Sequence, residues 1–247
     1  VPAMRAVAFV GYKKSGKTTT VEAVARVLKE RGYRVAIAKS MHAEFDREGT
    51  DTWRFSRVAD AVLVRAEDTD ALLFKAKDIN ALFSMVSADF LLLEGFKSVE
   101  HVPRVVCART PEEVEELDGG LAIAVSGVVA SRGITEINGL PVIDATREPE
   151  KLADLVEEKA FILPNIDCGL CGFRCAEMAR MIVKGEKTTK DCVVLSQKPK
   201  VVIKIDGQVL PMKDWVQELV EKTIKGMLSA MKGYREGKKI EIIVRSD

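Results

Sequence analysis

Apolar residues along this chain gather in short runs, separated by stretches in which they recur at helical spacing. Residues 5–10 (RAVAFV) are one such run and predict a buried strand that ends at a glycine. Beyond Gly16, residues Val21, Val24, Ala25 and Leu28 share one helical face, and the helix is expected to stop near Gly32. Further strands are predicted at 34–38 (RVAIA), 61–65 (AVLVR), 72–74 (LLF), 90–94 (FLLLE), 105–108 (VVCA), 121–126 (LAIAVS) and 141–144 (PVID). Thr110-Pro111 with Glu113 reads as a helix start with a capping threonine, a proline in the first turn and a glutamate three residues after the cap. A last helix is predicted over 148–159. Nearly all-apolar strands alternating with helices argue for an α/β fold, a mostly parallel sheet covered on both faces.

The pattern breaks at Pro164. A cysteine-bearing segment follows, then 200–210 (KVVIKIDGQVL), where Asp206-Gly207 is a hairpin signal. Residues 214–231 are amphipathic, with Trp215, Leu219, Val220, Met227, Leu228 and Met231 on one side. The run 239–244 (KIEIIV) closes the chain as a predicted strand. The expected organisation is therefore 1–163 as a nucleotide-binding domain, 164–195 as a four-cysteine segment and 196–247 as a small α+β unit.

The loop between the first strand and first helix changes this from a fold to a function. Gly11-Tyr-Lys-Lys-Ser15-Gly16-Lys17-Thr18 matches G-x-x-x-x-G-K-T in full. Such glycines let backbone N–H groups curl around phosphates, the lysine reaches the terminal phosphates, and the threonine hydroxyl ligates Mg²⁺. The competing reading is a chance match in a glycine turn. Gly11, Ser15, Gly16, Lys17, Thr18 and Thr19 are the candidate nucleotide contacts. Glu94 ends the most apolar strand, where an acid holds the Mg²⁺ shell or orients a water; otherwise it is a strand-end carboxylate facing solvent. Lys39, His42, Asp46 and Asp51 fall in the polar stretch 39–52, which is either a nucleotide-sensing segment or a solvated loop. The Asn-Lys-x-Asp base-specifying motif of many GTPases is absent, so the residues alone leave GTP and ATP both open.

Four of the five cysteines, Cys168, Cys171, Cys175 and Cys192, lie close together in the sequence. Net charge is +1 over 247 residues, so no overall field draws the chain to nucleic acid or membrane. No run is long enough to span a bilayer and no signal peptide is read at the N-terminus, so the expected setting is cytoplasmic. There, clustered thiols read as metal ligands rather than disulfides. Three thiols from one glycine-bearing turn and a fourth beyond a helix favour an iron–sulfur cluster of the 4Fe-4S type, with structural zinc or unmetallated thiols as the alternatives. Cys107 stands alone in a strand and reads as a small buried hydrophobe. His42 and His101 are the only histidines, which excludes a histidine-rich metal site.

Residues 5–160 resemble the molybdopterin-guanine dinucleotide biosynthesis protein B (MobB) family. The resemblance is carried by GYKKSGKTTT, by KSMHAEFDREGTDTWRFSRVADAVLV with His42, Phe45 and Asp51, and by Glu94-Gly95-Phe96-Lys97 with Pro103. It implies a P-loop α/β fold, a homodimer, GTP and Mg²⁺ as ligands, and nucleotide contacts from Asp51 and Lys97. It also implies a role in attaching nucleotide to molybdopterin or delivering the finished cofactor. The partner would be a molybdopterin guanylyltransferase or a recipient molybdenum or tungsten enzyme. Residues 162–192 look like the 4Fe-4S segment of corrinoid iron–sulfur proteins and of ion-pumping ferredoxin subunits, through Leu163-Pro164, Cys-Gly-x-Cys-Gly, Gly185-Glu186 and Cys192. The expectation is a GTP-binding accessory protein carrying a 4Fe-4S cluster. Lys17 and Glu94 would act on Mg-nucleotide and any GTPase activity would be weak. Two alternatives stand beside it. One is a nucleotide-dependent electron carrier, disfavoured because Tyr12 replaces the lysine of the signature-lysine loop. The other is a binding module whose zinc-stapled tail docks a target enzyme.

Overall fold

The computed structural model describes residues 4–41, 46–75, 79–196, 201, 203–205, 208–210, 212, 214–235, 240 and 242. His42, Phe45, the Asp206-Gly207 turn and most of the 239–244 run lie outside the described residues. The chain divides into two compact units, Val1–Ser196 and Gln197–Asp247.

In the first unit, β1 (Arg5–Val10) leads through the 11–16 loop into α1 (Lys17–Glu30) and β2 (Val35–Lys39). Next come α2 (Asp51–Ser56), β3 (Ala61–Arg65), β4 (Asp70–Phe74), α3 (Ile79–Ser84) and β5 (Phe90–Glu94). β6 (Arg104–Cys107), α4 (Pro111–Asp118) and β7 (Ala122–Ser126) follow. A short pair, β8 (Glu136–Ile137) and β9 (Leu140–Pro141), precedes α5 (Pro149–Lys159), α6 (Cys175–Val183) and α7 (Val193–Ser196). Five strands form one parallel sheet in the order β2-β5-β1-β6-β7.

Alternation along each strand sends residues to two separate cores. Val7, Phe9, Phe90, Leu92, Val105 and Cys107 face α1 and α5, where Val24, Leu28, Leu152 and Val156 are buried. Ala6, Ala8, Val10, Leu91, Leu93 and Val106 face Phe83, Val114, Leu117 and Val129 on the opposite side. β1 is flanked by β5 and β6, and neither β1 nor β5 exposes more than a trace of any apolar side chain.

Three expectations change. Residues 61–65 and 70–74 are strands, but they pair antiparallel with each other as a two-stranded hairpin outside the parallel sheet. The four residues between them are too few for the crossover that a parallel pair requires. The predicted strand at 141–144 shrinks to β9, which pairs with β8, plus a single bridge from Val142 to Val125. At α4, Thr110 precedes the helix but makes no side-chain cap to it. Glu113 instead accepts from Arg109 N at 2.8 Å and from the Arg109 guanidinium.

The cysteine segment, expected as a unit of its own over 164–195, packs within the first unit. Cys175, Met178, Ala179 and Cys192 share a buried cluster with Leu121, Phe161 and Leu163. Arg180 of α6 donates to Gly119 O at 2.9 Å and pairs with Glu100. Leu163 N donates to His101 O at 3.0 Å.

The second unit contains β10 (Lys204–Ile205) antiparallel to β11 (Gln208–Val209), and α8 (Asp214–Ser229). On α8 the pairs Glu218–Lys222 and Glu221–Lys225 sit four residues apart, while Trp215, Leu219 and Met227 are exposed.

His101 is 2% exposed and its Nε2 has no hydrogen-bond partner among the described residues. Burial pushes its pKa down from 6.5 to about 4. The unfolded chain then takes up a proton near pH 6.5 that the folded chain refuses until about pH 4. The stability present above pH 6.5 is therefore lost as pH falls through that window, by on the order of 3 kcal/mol at its acid end. Urea titrations of wild type and His101→Leu between pH 7.5 and 4.5 should show a steeper acid loss in the wild type. Parallel pH profiles would show that His101 does not carry the effect.

Candidate functional site

All parts of the candidate nucleotide site hang from the carboxyl-terminal edge of the sheet. The loop after β1 fits there only because two glycines let backbones touch. A Cβ on Gly11 would overlap the Cys107 carbonyl oxygen and Ser15 Oγ, and one on Gly127 would overlap the Ser15 carbonyl oxygen. Val128 N donates to that same Ser15 oxygen at 3.2 Å. Lys14 (φ 62°) and Gly16 (φ 89°) are left-handed and curl the loop into α1. No side chain caps α1, so its first N–H groups remain available to an anion. Ser15 is fully buried and its Oγ has no partner among the described residues. A buried hydroxyl left in that state is costly unless a ligand satisfies it.

Lys17 Nζ folds back onto Tyr12 O at 2.6 Å. Burial lowers its pKa, against the opposing pull of the Glu94 carboxylate. Thr18 Oγ1 donates to Glu94 Oε1 at 3.0 Å. These are hard oxygen donors from two elements converging at a phosphate loop, a set that suits Mg²⁺. Lys39 lies directly across from Glu94 in the strand register, with Nζ 3.2 Å from Oε1. Lys97 Nζ sits 3.9 Å from the centre of the Tyr12 ring, and Tyr12 OH donates to Glu116 at 2.7 Å. Cys107 is fully buried and its pKa is pushed up to about 12, so it stays a neutral thiol.

Sequence reasoning assembled Gly11, Ser15, Gly16, Lys17, Thr18 and Glu94, and the structure brings these together. Thr19 is exposed on the first turn of α1. Asp51 opens α2, and its ion pair is with Arg54 at 3.8 Å. Asp46 accepts from Arg47 N at 2.8 Å and from the Thr52 hydroxyl. Gly127 and the Lys39–Glu94 pair were missed. The latter had a signal, since two parallel neighbours ending at the same level place their last residues side by side.

The second constellation is the cysteine turn. Asn165, Asp167, Gly169 and Gly172 are all left-handed, which winds residues 165–172 tightly. Asp167 accepts from Cys175 N at 2.7 Å and pairs with Arg174 at 3.0 Å, fixing the start of α6. Cys175 is thus the first residue of α6. Cys168, Cys171, Cys175 and Cys192 line one apolar cavity with Leu163, Phe173 and Met178. Four thiols around one cavity suit an iron–sulfur cluster or zinc by donor chemistry. Yet the cavity is only about 10 Å³, close to the room one water needs. Among the described residues no three His, Cys, Asp or Glu side chains are gathered into a metal-binding group. Burial holds Cys192 toward its neutral form.

Among the described residues no helix is long and apolar enough to cross a membrane. Residues 6–130 match the family model described as molybdopterin guanine dinucleotide synthesis protein B, and 163–194 match a model described as an Fe-S cluster. The chain is 29% identical over 249 residues to a molybdopterin-guanine dinucleotide biosynthesis adapter protein of Methanocaldococcus jannaschii, covering 97% of each. It is 30% identical over 146 residues to the adapter protein of Haemophilus influenzae, covering 54% of this chain and 82% of the relative. The crystal structure of Bacillus subtilis MobB aligns with a TM-score of 0.51 at 27% identity, over 64% of this chain and 98% of that one. A second MobB crystal structure, at 24% identity and a TM-score of 0.50, shares the fold.

Proposed function

The chain belongs to the molybdopterin guanine dinucleotide synthesis protein B family, and from that premise we propose that it is a GTP-binding adapter in molybdopterin-guanine dinucleotide cofactor biosynthesis or delivery. In this reading it carries a 4Fe-4S cluster on Cys168, Cys171, Cys175 and Cys192. The observation that carries the nucleotide half is the Thr18–Glu94 hydrogen bond, in the loop whose buried Ser15 hydroxyl has no partner among the described residues. Phosphates would take the place of Tyr12 O as the partner of Lys17. Thr18 and Glu94 would hold Mg²⁺, which supplies charge neutralisation at the phosphates. Lys97 would reach the nucleotide from the Glu94-Gly-Phe-Lys97 segment. Any hydrolysis is slow and serves as a timer rather than as metabolism.

The cysteine half rests on the four thiols lining one cavity and on the iron–sulfur family match over 163–194. A 4Fe-4S cluster supplies one-electron transfer or redox sensing. Asp167 and the α6 N-terminus would hold the cysteine turn for it. The adapter serves a molybdopterin guanylyltransferase or a recipient molybdenum or tungsten enzyme in the cytoplasm, acting as a homodimer. The dimer is supported by the edge strand β2, with Ile37 52% exposed, and by the β3–β4 hairpin, with Leu63 81% exposed. A lone two-stranded hairpin is marginal and gains from a partner.

Lys17→Ala should weaken Mg-nucleotide binding at least about tenfold, about 1.4 kcal/mol, and in the same calorimetry GTP should outcompete ATP. Equal affinity of mutant and wild type would remove the site assignment. Anaerobically purified protein should be brown with about four irons per chain, and replacing Cys171 with serine should abolish the colour. A colourless wild type carrying a single zinc would replace the cluster with a docking module.

A further inference from the structure

We propose that the Lys39 ammonium is the built-in counter-cation of the Glu94 carboxylate, and that Mg²⁺ must displace it to bind with nucleotide. This deepens, and rests on, the reading of residues 11–18 and Glu94 as a Mg-nucleotide site. Lys39 ends β2 and Glu94 ends β5, directly opposite one another in the parallel register. Lys39 Nζ lies 3.2 Å from Oε1 and 3.4 Å from Oε2, straddling the carboxylate. Oε1 also accepts the Thr18 hydroxyl at 3.0 Å. The Glu94 side chain is 11% exposed, so its charge needs a cation whether or not nucleotide is present. Lys39 meets that need in the free protein.

A hydrated Mg²⁺ held by Thr18 and Glu94 takes the same carboxylate oxygens and brings a divalent charge against the ammonium. The Lys39 backbone cannot retreat. Ser40 N donates to Glu94 O at 3.0 Å, and a Cβ on Gly95 would stand 3.2 Å from Ser40 Cβ. The side chain can leave, because it is 53% exposed on a flexible stem. Lys39 therefore competes with magnesium rather than with the phosphates that Lys17 holds. It is a positioning residue: it holds the Glu94 carboxylate aimed at Thr18, and it sets the magnesium concentration at which the site closes around GTP.

Calorimetry on the full chain at saturating GTP, with Mg²⁺ titrated, tests this in wild type, Lys39→Met and Lys39→Arg. Lys39→Met should lower the half-saturating Mg²⁺ by at least about threefold, and Lys39→Arg should restore the wild-type requirement. An unchanged requirement in Lys39→Met would reduce the pair to a structural salt bridge. A higher requirement would make Lys39 a phosphate ligand. Either result overturns the inference while leaving the nucleotide site standing. A wild type that binds no nucleotide at any Mg²⁺ concentration overturns the site itself, and the inference with it.

Discussion

A parallel sheet buried on both faces has all its strands ending at one edge, and the candidate nucleotide chemistry of this chain depends on that constraint. β1, β2, β5 and β6 deliver Gly11, Lys39, Glu94 and Cys107 to the same rim. The two apolar layers hold those strands by side-chain alternation alone, Val7 and Phe9 to one face and Ala8 and Val10 to the other. The polar groups at the rim are therefore placed by hydrophobic packing. One-residue slips of β5 would invert every core contact along it and carry Glu94 away from Thr18.

The cysteine turn packs on a third apolar cluster of the same unit. Leu121, at the entry to β7, and Phe161 and Leu163, beyond α5, form the floor on which Cys175, Met178 and Cys192 pack. The connection from β5 to β6 touches both regions. Lys97 lies over the Tyr12 ring of the phosphate loop, Glu100 pairs with Arg180 of α6, and His101 O receives Leu163 N. Cys168, Cys171, Cys175 and Cys192 line one small apolar cavity on that floor.

Much of this was legible in the sequence because it is local. The apolar run 90–94 with its terminal glutamate, the glycine–lysine–threonine loop and the cysteine spacing each declare themselves within a few residues. Non-local pairings were harder. The runs 61–65 and 72–74 read as sheet members by composition, although the short polar link between them already allowed only a hairpin. Lys39 looked like part of a polar loop, and its partner Glu94 is distant in sequence. Gly127 carries no motif at all; its need shows only where its backbone meets Ser15. Asp51 was assigned through resemblance, and its side chain pairs within its own helix.

The central claim is that both sites belong to one cooperative folding unit, Val1–Ser196. Hydrogen exchange on the anaerobic protein, before and after iron removal, tests it most directly. The slowest amides of β5 and of α6 should exchange through a common opening, and iron removal should speed both together. Iron removal that frees the α6 amides while leaving those of β5 unchanged would contradict it, and would make the cysteine segment a separate folding unit.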